Sequence, residues 1–444
     1  MQASRHNIVS EIPGTNLFIV ANLLSGEADL VSAGEVNGLT NPSAPSRRSL
    51  IEKGYLVDPA EEHQRYRMAY LDFLEQREEE ELQLFFVPTY LCNFHCSYCY
   101  QAPYLSDPEV LSTGIIDAFF TYIGKQFAGR DKYITLFGGE PLLPGKAYKE
   151  SISDFFNRCA DHQLDVAVVT NGYHLSDYLE IFSRAGIREV QVTLDGPEEV
   201  HERRRPHKGG HKSFRRIANA IDQSLSLGYP VNLRMVVDRE NIHSLPGLAS
   251  FAAERGWTSS PLFKTQLGRN YELHHCHSGP QKIYSRLSLY QDLYPLIVKH
   301  PEILDFHKPA FSVARFLHEN GQLPPPLFDA CPACKTEWAF DHRGNIYSCT
   351  ATVGKPGEEL GRFHPTPVLY GKKIADWQQR DVLSIRECND CNLQLACGGG
   401  CGSVAKNSQG GILKPDCRPV GELLGMGTAL YGGNNLSHHA KGSV

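Results

Sequence analysis

Short, nearly unbroken apolar runs recur through the first two thirds of the chain. They are Leu82–Val87, Tyr133–Phe137, Asp165–Val169, Glu189–Leu194 and Val231–Val237. A strand buried on both faces of a parallel sheet reads this way. Between the runs, segments 109–127, 146–162, 176–185, 211–227 and 241–255 carry helical spacing. Strand–helix alternation at this pitch predicts βαβ crossovers and a parallel sheet. A sixth strand is expected near Ser260–Thr265. Six are too few for a closed eight-stranded barrel, so the expected class is α/β, an open partial (β/α)6 barrel. Sites in such sheets gather at the C-terminal strand ends.

The flanks read differently. Asn16–Asn22 and Ala28–Val31, joined through Ser25, Gly26 and Glu27, predict a hairpin. Residues 41–47 read as a loop, 49–53 as a short helix and 61–81 as a longer one. On the latter Tyr66, Tyr70, Phe73 and Leu74 share a face. Its acidic end, Glu75 to Glu81, reads as a solvated face. Four regions follow: a small α+β module over 1–81, the barrel over 82–265, a helical linker region over 266–330, and a cysteine- and glycine-rich domain over 331–444. A helix is expected over 284–299, and a short one over 419–430.

Composition adds exclusions. The 444 residues are 41% hydrophobic and 21% charged, which suits a packed core rather than a disordered chain. Net charge is −6, which argues against a nucleic-acid binder working through bulk positive charge. No run approaches a membrane span, and the N-terminus lacks the apolar core of a secretory signal. The expected location is the cytoplasm, with no nucleic-acid or membrane partner.

The 13 cysteines change the picture most. An odd count without an export signal is a poor disulfide framework, and the tight spacings suit metal thiolates. Cys92, Cys96 and Cys99 form Cx3Cx2C just after the first barrel strand. Three thiolates from one loop hold three irons of a cubane and leave the fourth open, whereas structural zinc takes four protein ligands. Further along come Cys331, Cys334 and Cys349, with Gly344 in the CX9GX4C pattern, then Cys388, Cys391, Cys397, Cys401 and Cys417. Eight cysteines suffice for two four-cysteine clusters. A pair of zinc ribbons is the competing reading of their spacing. Cys159 sits in a helical pattern beside Phe155 and Phe156 and reads as a core thiol. Cys276, within His274–His277, reads as part of an irregular loop near the active site.

The first motif, with Tyr98 as its aromatic, resembles that of radical S-adenosylmethionine (radical SAM) enzymes. Its companions stand where that family places them. Gly138, Gly139, Glu140 and Pro141 follow the second barrel strand and resemble the segment that binds the methionine amino group of SAM. Thr170 and Asn171, then Thr193 and Asp195, follow the next two strands and resemble positions lining the SAM ribose and carboxylate. Arg205 ends His201–Arg205, which resembles a segment whose arginine clamps a carboxylate.

The later cysteines resemble the SPASM domain of peptide-modifying radical SAM enzymes. That resemblance implies one SAM-binding [4Fe–4S] cluster on Cys92, Cys96 and Cys99. It implies a first auxiliary cluster on Cys331, Cys334, Cys349 and Cys401, and a second on Cys388, Cys391, Cys397 and Cys417. It further implies SAM cleavage to a 5′-deoxyadenosyl radical and oxidation of a peptide, with a flavodoxin or ferredoxin as electron donor. Within the family two activities compete. Ribosomal-peptide maturases form thioether or carbon–carbon crosslinks, whereas sulfatase-maturing enzymes make formylglycine. The latter carry an aspartate base directly after the cysteine that ends CX9GX4C. Here that position is Thr350, which favours a crosslinking maturase with a precursor peptide as partner. The N-terminal hairpin and Gly54–Asp58 resemble the leader-peptide recognition module of such maturases. No residue of the sequence is singled out as the substrate base. A non-catalytic multi-cluster electron carrier is the reading from another class; it needs the cysteines but not Glu140.

Overall fold

The computed structural model describes residues 1–40, 44–104, 109–270 and 280–439. Cys276 and its histidine neighbours lie outside the described residues.

After a two-residue strand, Gln2–Ala3, that pairs with Leu56–Val57, a three-stranded antiparallel sheet follows: β1 (Ile8–Glu11), β2 (Leu17–Asn22) and β3 (Glu27–Ser32), with β2 central. The hairpin is the expected one; β1 is additional. Its four residues alternate buried and exposed, a pattern too brief to read in the sequence. Helices α1 (Ala33–Thr40), α2 (Ala44–Glu52) and α3 (Pro59–Glu79) follow. The start of α3 is set locally. Asp58 caps the backbone N–H groups of Ala60 and Glu61, and Pro59 occupies the first turn, where no N–H is needed.

The barrel strands are β4 (Leu82–Val87), β5 (Lys132–Leu136), β6 (Val166–Thr170), β7 (Ile187–Thr193), β8 (Val231–Val237) and β9 (Phe263–Arg269). They pair in parallel, in chain order. Crossovers run through α4 (Thr113–Gln126), α5 (Lys146–Asp161), α6 (Glu198–Arg204), α7 (Phe214–Ser226) and α8 (Leu245–Glu254). The outer strand faces, including Phe86, Leu136, Val168, Val192 and Leu233, are buried in the main core. Cys159 is 0% exposed there, a packed thiol whose pKa burial pushes up.

The inner face is more polar. Gln191 of β7 donates across β8 to Gln266 of β9 at 3.0 Å. Strands lie about 4.8 Å apart, so side chains two strands away meet only over a concave face. That closure defines the partial barrel.

The parallel sheet does not end at β4. Its free edge takes β10 (Glu337–Asp341), again in parallel, with Glu337 opposite Gln83 and Asp341 opposite Val87. Antiparallel strands β11 (Asn345–Tyr347), β12 (Gly361–Arg362) and β13 (Val368–Leu369) continue the sheet. The cysteine-rich region and the barrel therefore share one sheet.

The N-terminal module rests on the cysteine-rich region. Tyr66, Tyr70 and Phe73 of α3 surround Phe328, at centroid distances of 5.1, 5.2 and 5.6 Å. Tyr66 Oη donates to Gln394 and Tyr70 Oη to Asp381. The last helix, α9 (Val420–His439), packs on β1 and β2.

His6 is 1% exposed, stacks on Tyr66 at 5.3 Å and accepts from Arg5 Nε. Burial, and then the Arg5 charge, lower its pKa from 6.5 to about 4. The folded state thus binds this proton less readily than the unfolded chain. Its contribution is complete above pH 6.5 and is lost as pH falls toward 4. Urea unfolding of wild type is expected to lose about 2 kcal/mol at this site between pH 7.5 and pH 5. His6→Phe, which keeps the stack, removes that dependence; an unchanged slope refutes the assignment.

Candidate active site

All four segments singled out in the barrel lie at the C-terminal ends of its strands. The loop after β4 carries Cys92, Cys96 and Cys99, all half-buried and without a disulfide. The other thiols of the loop lie close enough to raise the pKa values of Cys92 and Cys96. Burial first, then Glu140 and the other two thiols, push Cys92 up to about 12. Burial, opposed by Arg205, holds Cys96 at about 11. Backbone pairing fixes this loop. His95 N–H donates to Pro206 O, Ser97 N–H to Arg204 O, and Lys208 N–H to Asn93 O. The segment 204–208 thus clamps the cysteine loop.

The loop after β5 packs under it. Gly139, at φ +50°, passes so close to the cysteine loop that a Cβ would stand 2.3 Å from Leu91 O. Only glycine fits there. Gly139 N–H donates to Gln101 Oε1, and Glu140 N–H to Leu91 O at 2.7 Å. Glu140 is 1% exposed. One carboxylate oxygen accepts from Thr170 Oγ1 at 2.6 Å and from Leu142 N–H; the other accepts from Asn171 N–H at 2.6 Å. Burial raises its pKa, and these donors oppose the rise. Glu140 therefore braces two strand-end loops, with one carboxylate lone pair of four left over. Asn171 Nδ2 donates to Asn93 Oδ1 in the cysteine loop at 2.7 Å.

The three arginines 203–205 part ways. Arg203 is exposed, whereas Arg204 and Arg205 are buried. Arg204 NH1 reaches both Asp238 oxygens at 2.9 Å, and its Nε reaches Asp195 at 3.3 Å. Asp195, 0% exposed, also accepts from Val236 N–H. Arg204 escapes sequence reasoning because nothing in the run distinguishes it from Arg203. Asp238, just past the end of β8, was the available signal. Arg205 NH1 donates to Tyr98 Oη at 2.6 Å, and its charge faces Cys96 and Asp195.

The later cysteines form two groups. Burial first raises the pKa values of Cys331, Cys334 and Cys349; nearby thiols add to it, Cys401 for Cys331, Cys331 for Cys334, and Cys331 with Cys401 for Cys349. Cys388, Cys391, Cys397 and Cys417 form a second such set. Cys331 N–H is held by Asp329, which also meets Lys335 and Arg77. Arg380, 0% exposed, ties Ile412 O, Gly399 O and Lys414 O together behind these groups. Thr350 N–H donates to Glu337 at 2.9 Å, and Thr350 O accepts from Tyr100 Oη at 3.2 Å. Among the described residues no three His, Cys, Asp or Glu side chains gather closely enough for a single metal ion.

Residues 86–252 match the Radical SAM superfamily. The chain carries a radical SAM domain. It is similar to a serine-type anaerobic sulfatase-maturating enzyme of Bacteroides thetaiotaomicron, at 24% identity over 70% of this chain and 80% of that one. Other curated relatives are matched over about half their length or less. In fold it is similar to native anSMEcpe with bound AdoMet and Cp18Cys peptide (TM-score 0.59, 16% identity, 82% of this chain and 100% of that one). It is also similar to Streptococcus suis SuiB bound to precursor peptide SuiA (TM-score 0.50, 15% identity, 95% and 99%). The superfamily implies SAM and a [4Fe–4S] cluster. The residues present fit both: Cys92, Cys96 and Cys99 line one cavity, and buried Gln101 Nε2, Asn93 Nδ2 and Arg205 Nε in and beside the cysteine loop have no partner. Unpartnered buried donors of this kind suit a ligand rich in oxygen acceptors. No helix among the described residues is long and apolar enough to cross a membrane.

Proposed function

We propose that this radical SAM enzyme matures a ribosomally made precursor peptide by forming a thioether or carbon–carbon crosslink. The observation that carries the reading is the N-terminal module. Its outer strand β3 is an edge strand, and beside it a cavity of about 610 Å³ is lined by Leu30, Val31, Leu39, Leu50, Lys53 and Tyr55, among others. An open strand edge next to a groove of mixed apolar and polar lining, which includes Asp29 and Glu35, suits an extended peptide added as a further strand. The match to SuiB over 95% of this chain, against 82% for anSMEcpe, supports it. Thr350, standing where sulfatase-maturing relatives place an aspartate, supports crosslinking over formylglycine formation.

In this reading Cys92, Cys96 and Cys99 hold the SAM-binding cluster. Cys331, Cys334, Cys349 and Cys401 hold the first auxiliary cluster, and Cys388, Cys391, Cys397 and Cys417 the second. A [4Fe–4S] cluster held by Cys92, Cys96 and Cys99 would, once reduced by a flavodoxin or ferredoxin, supply the electron for reductive cleavage of SAM. The chain's residues then do the positioning. Gly138 to Pro141 present backbone and the Glu140 carboxylate to the SAM ammonium. Thr170, Asn171, Thr193 and Asp195 frame the ribose side. Arg205 turns its free Nε to the SAM carboxylate, and Tyr98 fixes that guanidinium. The inner face of the barrel keeps bulk water from the reacting centre.

The test is anaerobic reconstitution followed by a dithionite-driven assay with a candidate precursor. It should yield 5′-deoxyadenosine and a peptide lighter by a pair of hydrogens. SAM cleavage without any precursor-dependent product overturns the maturase reading. The module is tested separately. Leu30→Asp should weaken peptide binding by at least about tenfold, as for an interface anchor, and leave peptide-free SAM cleavage unchanged. Unaltered affinity refutes the groove. Deletion of residues 1–80 is the poorer test, because it strips α3 from Phe328.

A further inference from the structure

We infer that Arg234, on the inner face of the barrel, is a binding site for a carboxylate of the substrate. The inference rests on the peptide-maturase reading and deepens it. Leu233, Met235 and Val237 of β8 are buried on the outer side against the helices. Arg234 therefore turns the other way, into the barrel. Strand pairing sets it directly between Thr193 of β7 and Gln266 of β9. Two residues on, Val236 N–H is held by Asp195. Arg234 thus stands level with Thr193, a strand-end residue assigned to SAM.

Two observations mark it as a site rather than a structural cation. First, it has no internal counter-ion. Among the described residues, carboxylates on the sheet and at its strand ends have other partners. Asp195 is with Arg204, Glu189 with Lys264, Glu337 with Thr350, and Glu140 with Thr170 and Asn171. Arg234 forms no ion pair, and its Nε is buried without a hydrogen-bond partner. A half-buried guanidinium left this way is costly unless an anion arrives from outside. Second, the fold keeps room for it. Gly268 of β9 stands alongside, where a Cβ would come within 2.8 Å of Arg234 Nε and 2.9 Å of NH2. Any side chain there would displace the guanidinium. A planar fork with free donors fits a carboxylate. That carboxylate belongs to an Asp or Glu side chain next to the modified residue, or to the peptide's C-terminus.

The test uses the reconstituted enzyme saturated with SAM, and three short probes read by saturation-transfer NMR. The probes are an end-capped alanine–glutamate–alanine peptide, its glutamine counterpart, and an N-capped trialanine with a free C-terminus. In wild type at least one acidic probe should receive several-fold more saturation than the glutamine probe, and which one does identifies the carboxylate's source. Arg234→Gln should abolish that preference, and Arg234→Lys should retain part of it. Near-ultraviolet circular dichroism checks that each variant is folded. Equal saturation of all three probes in wild type, or a preference that survives Arg234→Gln, overturns the assignment. So does a raised SAM dissociation constant in Arg234→Gln with no change in probe preference, since the arginine would then serve SAM. The maturase reading fails by a different route, through absence of a precursor-dependent product.

Discussion

Replacing Cys92, Cys96 and Cys99 together with alanine abolishes 5′-deoxyadenosine formation and lowers the iron of the reconstituted protein from about twelve to about eight per chain. The effect is expected to be complete rather than partial, because no other described cysteine reaches this loop. It should also be local. Backbone bonds to Arg204, Pro206 and Lys208 hold the loop, and none of them involves a thiol. The variant should therefore keep its fold and the absorbance of the remaining clusters. SAM cleavage above the background of dithionite alone in the triple variant sinks the assignment. Iron that falls to zero shows that the clusters do not assemble independently.

Arg204→Met is expected to give the largest loss of stability of any single substitution considered for this chain. It leaves two carboxylates, Asp195 at 0% and Asp238 at 2% exposure, buried without their cation. Breaking a buried pair in this way costs about 3–5 kcal/mol, because the remaining charge keeps its desolvation penalty. The neighbouring Arg203→Met, at an exposed position, should stay within about 0.5 kcal/mol of wild type. Urea unfolding of the two variants side by side gives the comparison. Added salt should barely change the difference, since buried charges are poorly screened. Equal midpoints for the two variants would show that the Arg204 network adds nothing.

What could be read from the sequence follows from how local each signal is. The Cx3Cx2C loop, Gly138–Pro141, Thr170 and Asn171, and Thr193 and Asp195 each follow an apolar run, so strand and motif identify one another. The assignment of the later cysteines to two ligand sets rests on a family resemblance rather than on any local signal. The strand Glu337–Asp341 was not legible. It is five residues long, charged at both ends and surrounded by cysteines, and its partner lies in the first third of the chain. The roles within 203–205 were hidden for the same reason. Which arginine is buried depends on Asp238, a residue more than thirty positions away. Arg234 reads in the sequence as one of two polar residues, with Asn232, in an otherwise apolar strand, and only the curvature of the sheet gives it a use.

The parallel pairing of Glu337–Asp341 with Leu82–Val87 also orders the assembly of the molecule in time. Gln83 leaves the ribosome long before its partner Glu337, with 253 residues between them. At about 5–20 residues per second that interval is on the order of ten to fifty seconds. Throughout it the first barrel strand presents an open, apolar edge, the kind of surface on which chains join one another. The strand that covers this edge comes from the segment between Cys334 and Cys349. On the proposed assignment of an auxiliary cluster to those cysteines, its insertion and closure of the barrel edge are coupled. Iron starvation during synthesis would accordingly show itself as insoluble chains, before any loss of activity per folded molecule.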